Sequence, residues 1–330
     1  MNLAIIGATG NVGRKIIEVL EKSKLIVENL YLVASEKSAG KKMRFNNKEI
    51  IIQQLEKHDF SKAEITIFAA GSEIAKHWVP KAAQKTIVID NSKQFRMNED
   101  VPLVVPEVNQ SDLKKHQNII ANPNCSTIQL VLPLKPLHEK YKIKRIIVST
   151  YQAVSGAGKA SVDELITQTK DALNNKKIIS KNFTKQMAFN LIPHIDTFVD
   201  DGYTKEEWKM ENETKKILGK GIGLSATCVR VPVKTSHSES VNIEFENEYD
   251  LNVVKKILKN AAGCKVIDEE KDGGYITPLE AENEYLTFIS RIRKDNSNKK
   301  AINIWIVSDN LLKGAALNSV QIVESLVEKF

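Results

Sequence analysis

Aromatic residues are sparse in this 330-residue chain, 6% in all, so any core must be largely aliphatic. Cysteine is sparser. Cys125, Cys228 and Cys264 are odd in number and far apart, with no Cys-x-x-Cys pair and no His-x3-His spacing. That argues against a metal site and a disulfide framework, and it points to a reducing compartment. Long apolar runs are missing too. The longest uncharged one, Ile128 to Leu134, is far short of a bilayer span. The apolar stretch at the start ends at Gly7 with no basic segment before it. Internal repeats and low-complexity linkers are absent. The expectation is a soluble, cytoplasmic protein with no metal and no membrane partner.

What is present suits a globular enzyme of about two domains, at roughly 100–200 residues per domain. Hydrophobic residues make up 42% and charged residues 27%, enough apolar material for a real core. The net charge of +7 is scattered, and its densest cluster, Lys294 to Lys300, holds no aromatic residue. A mild field attracting small anions fits this better than a nucleic-acid groove.

The first third alternates short apolar runs with helical segments. "LAIIG", "LYLVAS", "ITIFAAG", "TIVIDNS" and "NIIANP" each end in Gly, Asn, Ser or Pro, and "VGRKIIEVLEK" has helical period. This is the pattern of a parallel sheet covered on both faces, an α/β domain. After Cys125 the strands lengthen and alternate, as in "SVNIEFE", where Val241, Ile243 and Phe245 share a face. Further strands are expected in "KRIIVSTYQAV", "ATCVRVPV", "TFISRIRK" and "AINIWIVSD". Helices are expected near 160–173, 204–218 and 250–260, and from Asn310 to Glu328. The second domain reads as α+β.

"GATGNVG" places Gly7, Gly10 and Gly13 between a strand and a helix. Glycines there let the backbone turn sharply near a pyrophosphate, and the helix start offers free N–H groups. At the end of the second strand, Ser35, Lys37 and Ser38 suit the 2′-phosphate of NADP, whereas Glu36 among them would favour NAD.

"NPNCST" puts Cys125 at a helix start, after a proline break. A thiol there feels the helix dipole, and reactive thiols in such settings have pKa values lowered to roughly 3.5–7.5. Inert core sulfur is the competing account. A nucleophilic cysteine needs a base, and His237 in the polar turn "KTSHSES" is the leading histidine. Arg230 lies on one face of a strand expected to be central. It needs either an anionic ligand or a structural salt bridge, and the pattern does not choose between them.

These segments resemble the aspartate-β-semialdehyde dehydrogenase family. The likeness runs end to end, through "GATGNVG", "SEKSAGK", "DNSKQFRM", "VPLVVPEVN", "NPNCSTIQLV", "STYQAVSGAG", "EEWKM", "ETKKI", "CVRVPV", "HSES", "SRIRKD" and "VSDNLLKGAALNSVQI". It implies an N-terminal Rossmann-like NADP domain (1–125), a catalytic and dimerisation domain (126–309), and a C-terminal helix (310–330) returning to the first. The implied reaction is reversible, NADP-dependent reductive dephosphorylation of L-4-aspartyl phosphate to aspartate 4-semialdehyde and phosphate, through a cysteine thioester. It serves lysine/diaminopimelate, threonine and methionine biosynthesis.

The resemblance makes Cys125 the nucleophile, His237 the acid/base, and Gln152 the residue holding the reacting group. Arg230 takes the substrate carboxylate, Glu206 its ammonium, and Arg96 and Lys209 the phosphate. Gly7, Thr9, Gly10, Asn11, Val12, Ser35, Lys37, Ser38, Ser155, Gly156 and Asn310 are implied in NADP binding, and a homodimer is implied as the assembly. Thr204 and Glu207 form a capping-box pattern that would put Glu206 and Lys209 on one helix face, where a surface ion pair is the bland alternative. Two features depart from the family: Lys37 stands where many members carry Arg, and residues 174–185 form a short lysine-rich stretch. Rival readings are an N-acetyl-glutamyl-phosphate or glyceraldehyde-3-phosphate type enzyme, and a non-catalytic NADP-sensing regulator. Glu206 separates the first, because an acetylated amine needs no acid.

Overall fold

The computed structural model describes residues 1–328 and divides into two compact units. One is Met1–Asn124 with the segment from Ala315 onward, and the other is Cys125–Gly314. Cys125 and residues 310–314 therefore belong to the second unit, and the last two residues of the expected 310–330 segment lie outside the described residues.

The first unit contains β1 (Asn2–Ile6), β2 (Asn29–Ala34), β3 (Lys42–Phe45), β4 (Lys48–Ile51), β5 (Gln53–Gln54), β6 (Ile65–Phe68), β7 (Ile87–Asp90) and β8 (Ile119–Ala121). Its helices are α1 (Asn11–Lys22), α2 (Ser72–Ala82) and α3 (Pro106–Asn109). Six strands form a parallel sheet in the order β5-β2-β1-β6-β7-β8. β1 and β6 are buried on both faces, as their unbroken apolar runs require. This is a Rossmann-like α/β unit. β3 and β4 form a separate hairpin that apolar pattern does not reveal. It turns on Asn46 and Asn47, both at positive φ, a backbone that asparagine tolerates.

The glycine turn is set by close packing. Gly7 has φ of +82°, and a Cβ there would lie 2.6 Å from the Ala69 carbonyl oxygen. A Cβ on Gly13 would overlap the Gly7 carbonyl. Gly10 lies under no such constraint and caps α1 without any side-chain hydrogen bond.

The second unit runs through α4 (Cys125–Tyr141), β9 (Ile143–Gln152), α5 (Lys159–Leu173), α6 (Lys205–Leu218), β10 (Gly223–Arg230) and β11 (His237–Phe245). It continues with α7 (Leu251–Lys259), β12 (Cys264–Val266), α8 (Pro278–Ala281), β13 (Thr287–Lys294) and β14 (Ala301–Ser308). The chain ends in α9 (Asn318–Val327) of the first unit, where Asn318 donates to the Val104 carbonyl and to Asn122.

The second sheet is mixed, in the order β10-β9-β11-β14-β13-β12. On its inner face Ile146, Val148, Val241, Ile243, Phe245 and Ile304 pack with Leu130, Leu134 and Leu137 of α4, Met210 of α6 and Val254 and Leu258 of α7. α4 is buried on almost every side over residues 126–134, as an all-round apolar helix must be.

Register then gathers chemistry at one end of this sheet. β9 and β10 run parallel and finish together, with Gln152 opposite Arg230. β11 runs against them and starts there, with His237 opposite Ser308 of β14. Three expectations are corrected. β10 is an edge strand ending at Arg230, because Pro232 cannot continue a ladder. His237 is the first, fully buried residue of β11, not part of the polar turn before it. The last segment is not one regular helix: Leu312–Leu317 is a π-helical turn, begun where the Asp309 carboxylate accepts the Leu311 and Leu312 N–H groups.

Candidate active site

Cys125 is the first residue of α4, the positive end of a helix with no acidic residue in its first turn. It forms no disulfide. A Cβ added at Gly314 would lie 2.8 Å from the Cys125 Cβ, so the π-helical turn packs directly on the thiol-bearing residue. Cys228 offers no competing nucleophile: burial, with Glu206 second, pushes its thiol well up from the ordinary value.

His237 has one nitrogen fixed and one open. Its Nδ1 accepts the Ala153 backbone N–H at 3.0 Å, so the neutral ring carries its proton on Nε2. Nε2 is buried and has no hydrogen-bond partner. Burial lowers the ring to about 3, the Arg230 charge adds to this, and Glu206 opposes it. His237 is therefore neutral at physiological pH. A Cβ on Gly156 would sit 3.2 Å from both His237 Nε2 and Arg230 Nη1, which places the two groups side by side.

Arg230 donates through Nη1 to the Ala153 carbonyl at 2.7 Å, and its backbone pairs with Ile192. Burial lowers its pKa, while Glu206 first and Cys125 second oppose the shift. Gln152 donates to Glu206 at 3.0 Å and accepts from Thr150 at 3.3 Å. Glu206 also pairs with Lys209, which reaches Asp196 at 3.4 Å. All three of Gln152, Glu206 and Lys209 are buried, so the surface-pair reading is wrong. The capping box of Thr204 and Glu207 is present, and Glu207 also accepts the Cys228 N–H at 3.0 Å, tying α6 to β10.

Of the residues implied for the nucleotide, Asn310 and Ser155 are hydrogen-bonded to each other, and Asn310 also accepts the Ser236 N–H at 2.9 Å. Gly156 follows Ser155 in the second unit, and the rest lie in the first unit. Thr9, Gly10, Asn11 and Val12 form the entry to α1, whose first turn has no acidic residue and whose cap position has no side-chain bond. That leaves N–H groups and a positive dipole end suited to a pyrophosphate, so a dinucleotide fits these residues. Ser35 caps the short 3-10 turn Glu36–Ser38 after β2, and Glu36 and Lys37 are both exposed. Arg96, also in the first unit, is buried and donates to the Asn91 carbonyl at 2.9 Å.

Residues 2–116 match the family model "Semialdehyde dehydrogenase, NAD binding domain", and residues 134–313 match "Semialdehyde dehydrogenase, dimerisation domain". The chain is 49% identical to aspartate-semialdehyde dehydrogenase of Aquifex aeolicus, over 99% of this chain and 98% of that one. It is 46% identical to the Bacillus subtilis enzyme, over 99% and 97%. The chain belongs to the aspartate-semialdehyde dehydrogenase family. Among solved structures it is similar to aspartate semialdehyde dehydrogenase II of Vibrio cholerae complexed with ASA (TM-score 0.97, 45% identity, 100% and 98% covered). It is also similar to the Candida albicans enzyme with NADP (TM-score 0.73, 26% identity, 98% of each chain). It is an enzyme of the oxidoreductase class with a nicotinamide-nucleotide domain. Among the described residues no helix is long and apolar enough to cross a membrane.

Pattern reading missed Gly314, Asp196, Gln129 and Glu239. Gly314 left a signal, since a glycine inside an apolar helical stretch marks a close approach. Gly314→Ala is expected to displace Cys125 and lower kcat by about 10- to 100-fold, because a misplacement near 1 Å has that effect. Steady-state kinetics beside a thermal melt check it, and an unchanged kcat would show that the approach has no catalytic consequence.

Proposed function

We propose that this enzyme interconverts L-4-aspartyl phosphate and aspartate 4-semialdehyde through a thioester on Cys125, using NADP, as a cytoplasmic homodimer in the biosynthesis of lysine/diaminopimelate, threonine and methionine. The observation that carries the reading is the unpartnered, buried His237 Nε2–H beside the Arg230 guanidinium, with Cys125 acting on that same arginine.

In the biosynthetic direction the Cys125 thiolate adds to the acyl carbon of aspartyl phosphate. Phosphate leaves with the C–O electron pair, and the acyl group remains on sulfur. Bound NADPH supplies the hydride that reduces this carbon. The resulting alkoxide then collapses, breaking the C–S bond to release the semialdehyde and the thiolate. His237 Nε2–H donates a hydrogen bond to the carbonyl oxygen as it gains charge, the electrostatic side of its acid/base role. Gln152 holds the reacting group beside the sulfur.

Arg230 keeps N–H groups beyond the one given to Ala153 and grips the substrate carboxylate. Glu206 meets the ammonium, which favours aspartyl over N-acetyl-glutamyl substrates. Lys209 and Arg96 bind phosphate. Thr9 to Val12, Ser35, Lys37 and Ser38 are the proposed dinucleotide contacts of the first unit, with Gly7 shaping their turn, and Ser155, Gly156 and Asn310 are those of the second. The NADP-containing relative supports the choice of cofactor. Dimerisation is supported by the description of the second family model and by Ile147 and Tyr151, about 40% and 37% exposed on the outer face of β9.

Arg230→Lys is expected to raise the KM for the semialdehyde roughly 10- to 100-fold with a smaller change in kcat, because an ammonium cannot reproduce the planar fork. An unchanged KM would make Arg230 structural. The overall reading is tested by phosphate-dependent NADP⁺ reduction with aspartate semialdehyde beside N-acetylglutamate semialdehyde. Preference for the second substrate, or no phosphate dependence, would overturn it.

A further inference from the structure

Glu239 and Gln129 are fully buried and belong to neither the nucleophile nor the substrate clamps. Glu239 follows His237 by two residues, so the strand alternation puts both on the inner face of β11. Gln129 follows Cys125 by four residues, one turn along α4. Each therefore stands directly behind one of the two reacting groups. Neither oxygen of Glu239 and neither polar atom of the Gln129 amide has a hydrogen-bond partner.

Burial and Gln129 are the influences acting on Glu239, and among the described residues no cation joins them. Thr150 of β9 and Ile306 of β14 are its ladder partners, and Gln129 is the polar group acting on it from α4. Cys228 of β10 feels Glu239 together with Glu206 and Glu207 of α6, which are acids as well. Arg230 acts on His237, not on Glu239. A carboxylate buried in this way would be strongly unfavourable, whereas a carboxylic acid and a primary amide can exchange two hydrogen bonds. The shift agrees: burial raises Glu239 well above the ordinary range, and Gln129 opposes it.

We propose that Glu239, held as the uncharged acid, and Gln129 form a tie between β11 and α4 that positions Cys125 against His237. Glu239 is a positioning residue, and the inference rests on the reading of Cys125 and His237 given above.

Three readouts test it on the full-length enzyme. Infrared spectra at neutral pH should contain a protonated-carboxyl band that Glu239→Gln removes. Above the ordinary Glu range of about 4.3, the folded protein keeps a proton that the unfolded chain releases, so wild-type stability falls as pH rises. The melting temperature of Glu239→Gln relative to wild type should therefore climb with pH. In kinetics, Glu239→Leu should lower kcat by about 10- to 100-fold with KM little changed, and slow alkylation of Cys125 by iodoacetamide. Glu239→Gln should rescue both. A missing carboxyl band, a pH-independent difference in melting temperature, or a folded Glu239→Gln no better than Glu239→Leu would overturn the proposal. The first two readouts do not depend on turnover, so they hold or fail separately from the thioester reading.

Discussion

Cys125→Ser is expected to lower turnover by on the order of 10⁴-fold or more, the scale seen when a covalent nucleophile is removed. At 1.36 kcal/mol per decade, that is about 5 kcal/mol of transition-state stabilisation. A serine hydroxyl at the same helix start is a weaker nucleophile than a thiolate and leaves less readily from the acyl intermediate. Cys228 cannot substitute, because its thiol is fully buried and its pKa pushed up, and Cys264 lies on β12, at the opposite edge of the sheet from β10. Thermal stability should change little, since serine is close to isosteric. Dinucleotide affinity should persist, because the glycine turn and the start of α1 belong to the other unit. Titration calorimetry with NADP beside a steady-state assay separates these effects. A serine variant with wild-type turnover would remove the covalent mechanism, and one that no longer binds NADP would mean the substitution disturbs more than the thiol.

His237→Asn carries the second large effect. Asparagine can still accept the Ala153 N–H, but it brings no donor to the position of Nε2. Loss of one oxyanion donor typically reduces kcat by about 10²–10³-fold. The variant also has a pH signature. The unfolded histidine takes up a proton below about 6.5, whereas burial keeps the folded ring neutral down to about 3. The unfolded state thus binds more protons across that window, and wild-type stability is lost as pH falls through it. The asparagine variant lacks this loss, so it should gain stability relative to wild type from pH 6.5 downward while staying slow at every pH. For the same reason the wild-type pH–rate profile should show no limb near neutrality that disappears in the variant. A limb near pH 6.5 that vanishes with the substitution would mean that His237 titrates there and acts as a full proton carrier.

The parallel sheet was legible because its strands are buried on both faces and so read as unbroken apolar runs. Cys125 was legible because Pro123 and the polar residues around it mark a helix start. The capping box placed Glu206 and Lys209 on one face of α6, but spacing carries no information about burial. Their shelter comes from β10 and from Asp196, which lies in the irregular segment leading into α6. His237 was misread as a turn residue because "KTSHSES" is polar throughout. Its place in a strand depends on pairing with Ser308, a partner far along the chain. Glu239 was hidden for the same reason: a glutamate one step out of register would face solvent. The β3–β4 hairpin and the π-helical turn left only weak local signals, since one has strands of four residues that mix charged and apolar side chains and the other is set by Asp309.

The central claim is a covalent thioester on Cys125, and a single-turnover experiment tests it most directly. The enzyme is mixed with aspartate semialdehyde and NADP⁺ in the absence of phosphate, quenched, digested and analysed by mass spectrometry. The account predicts a burst of one NADPH per active site and an aspartyl adduct on the Cys125 peptide that added phosphate discharges. NADPH formation without an adduct, or an adduct on another residue, would contradict it.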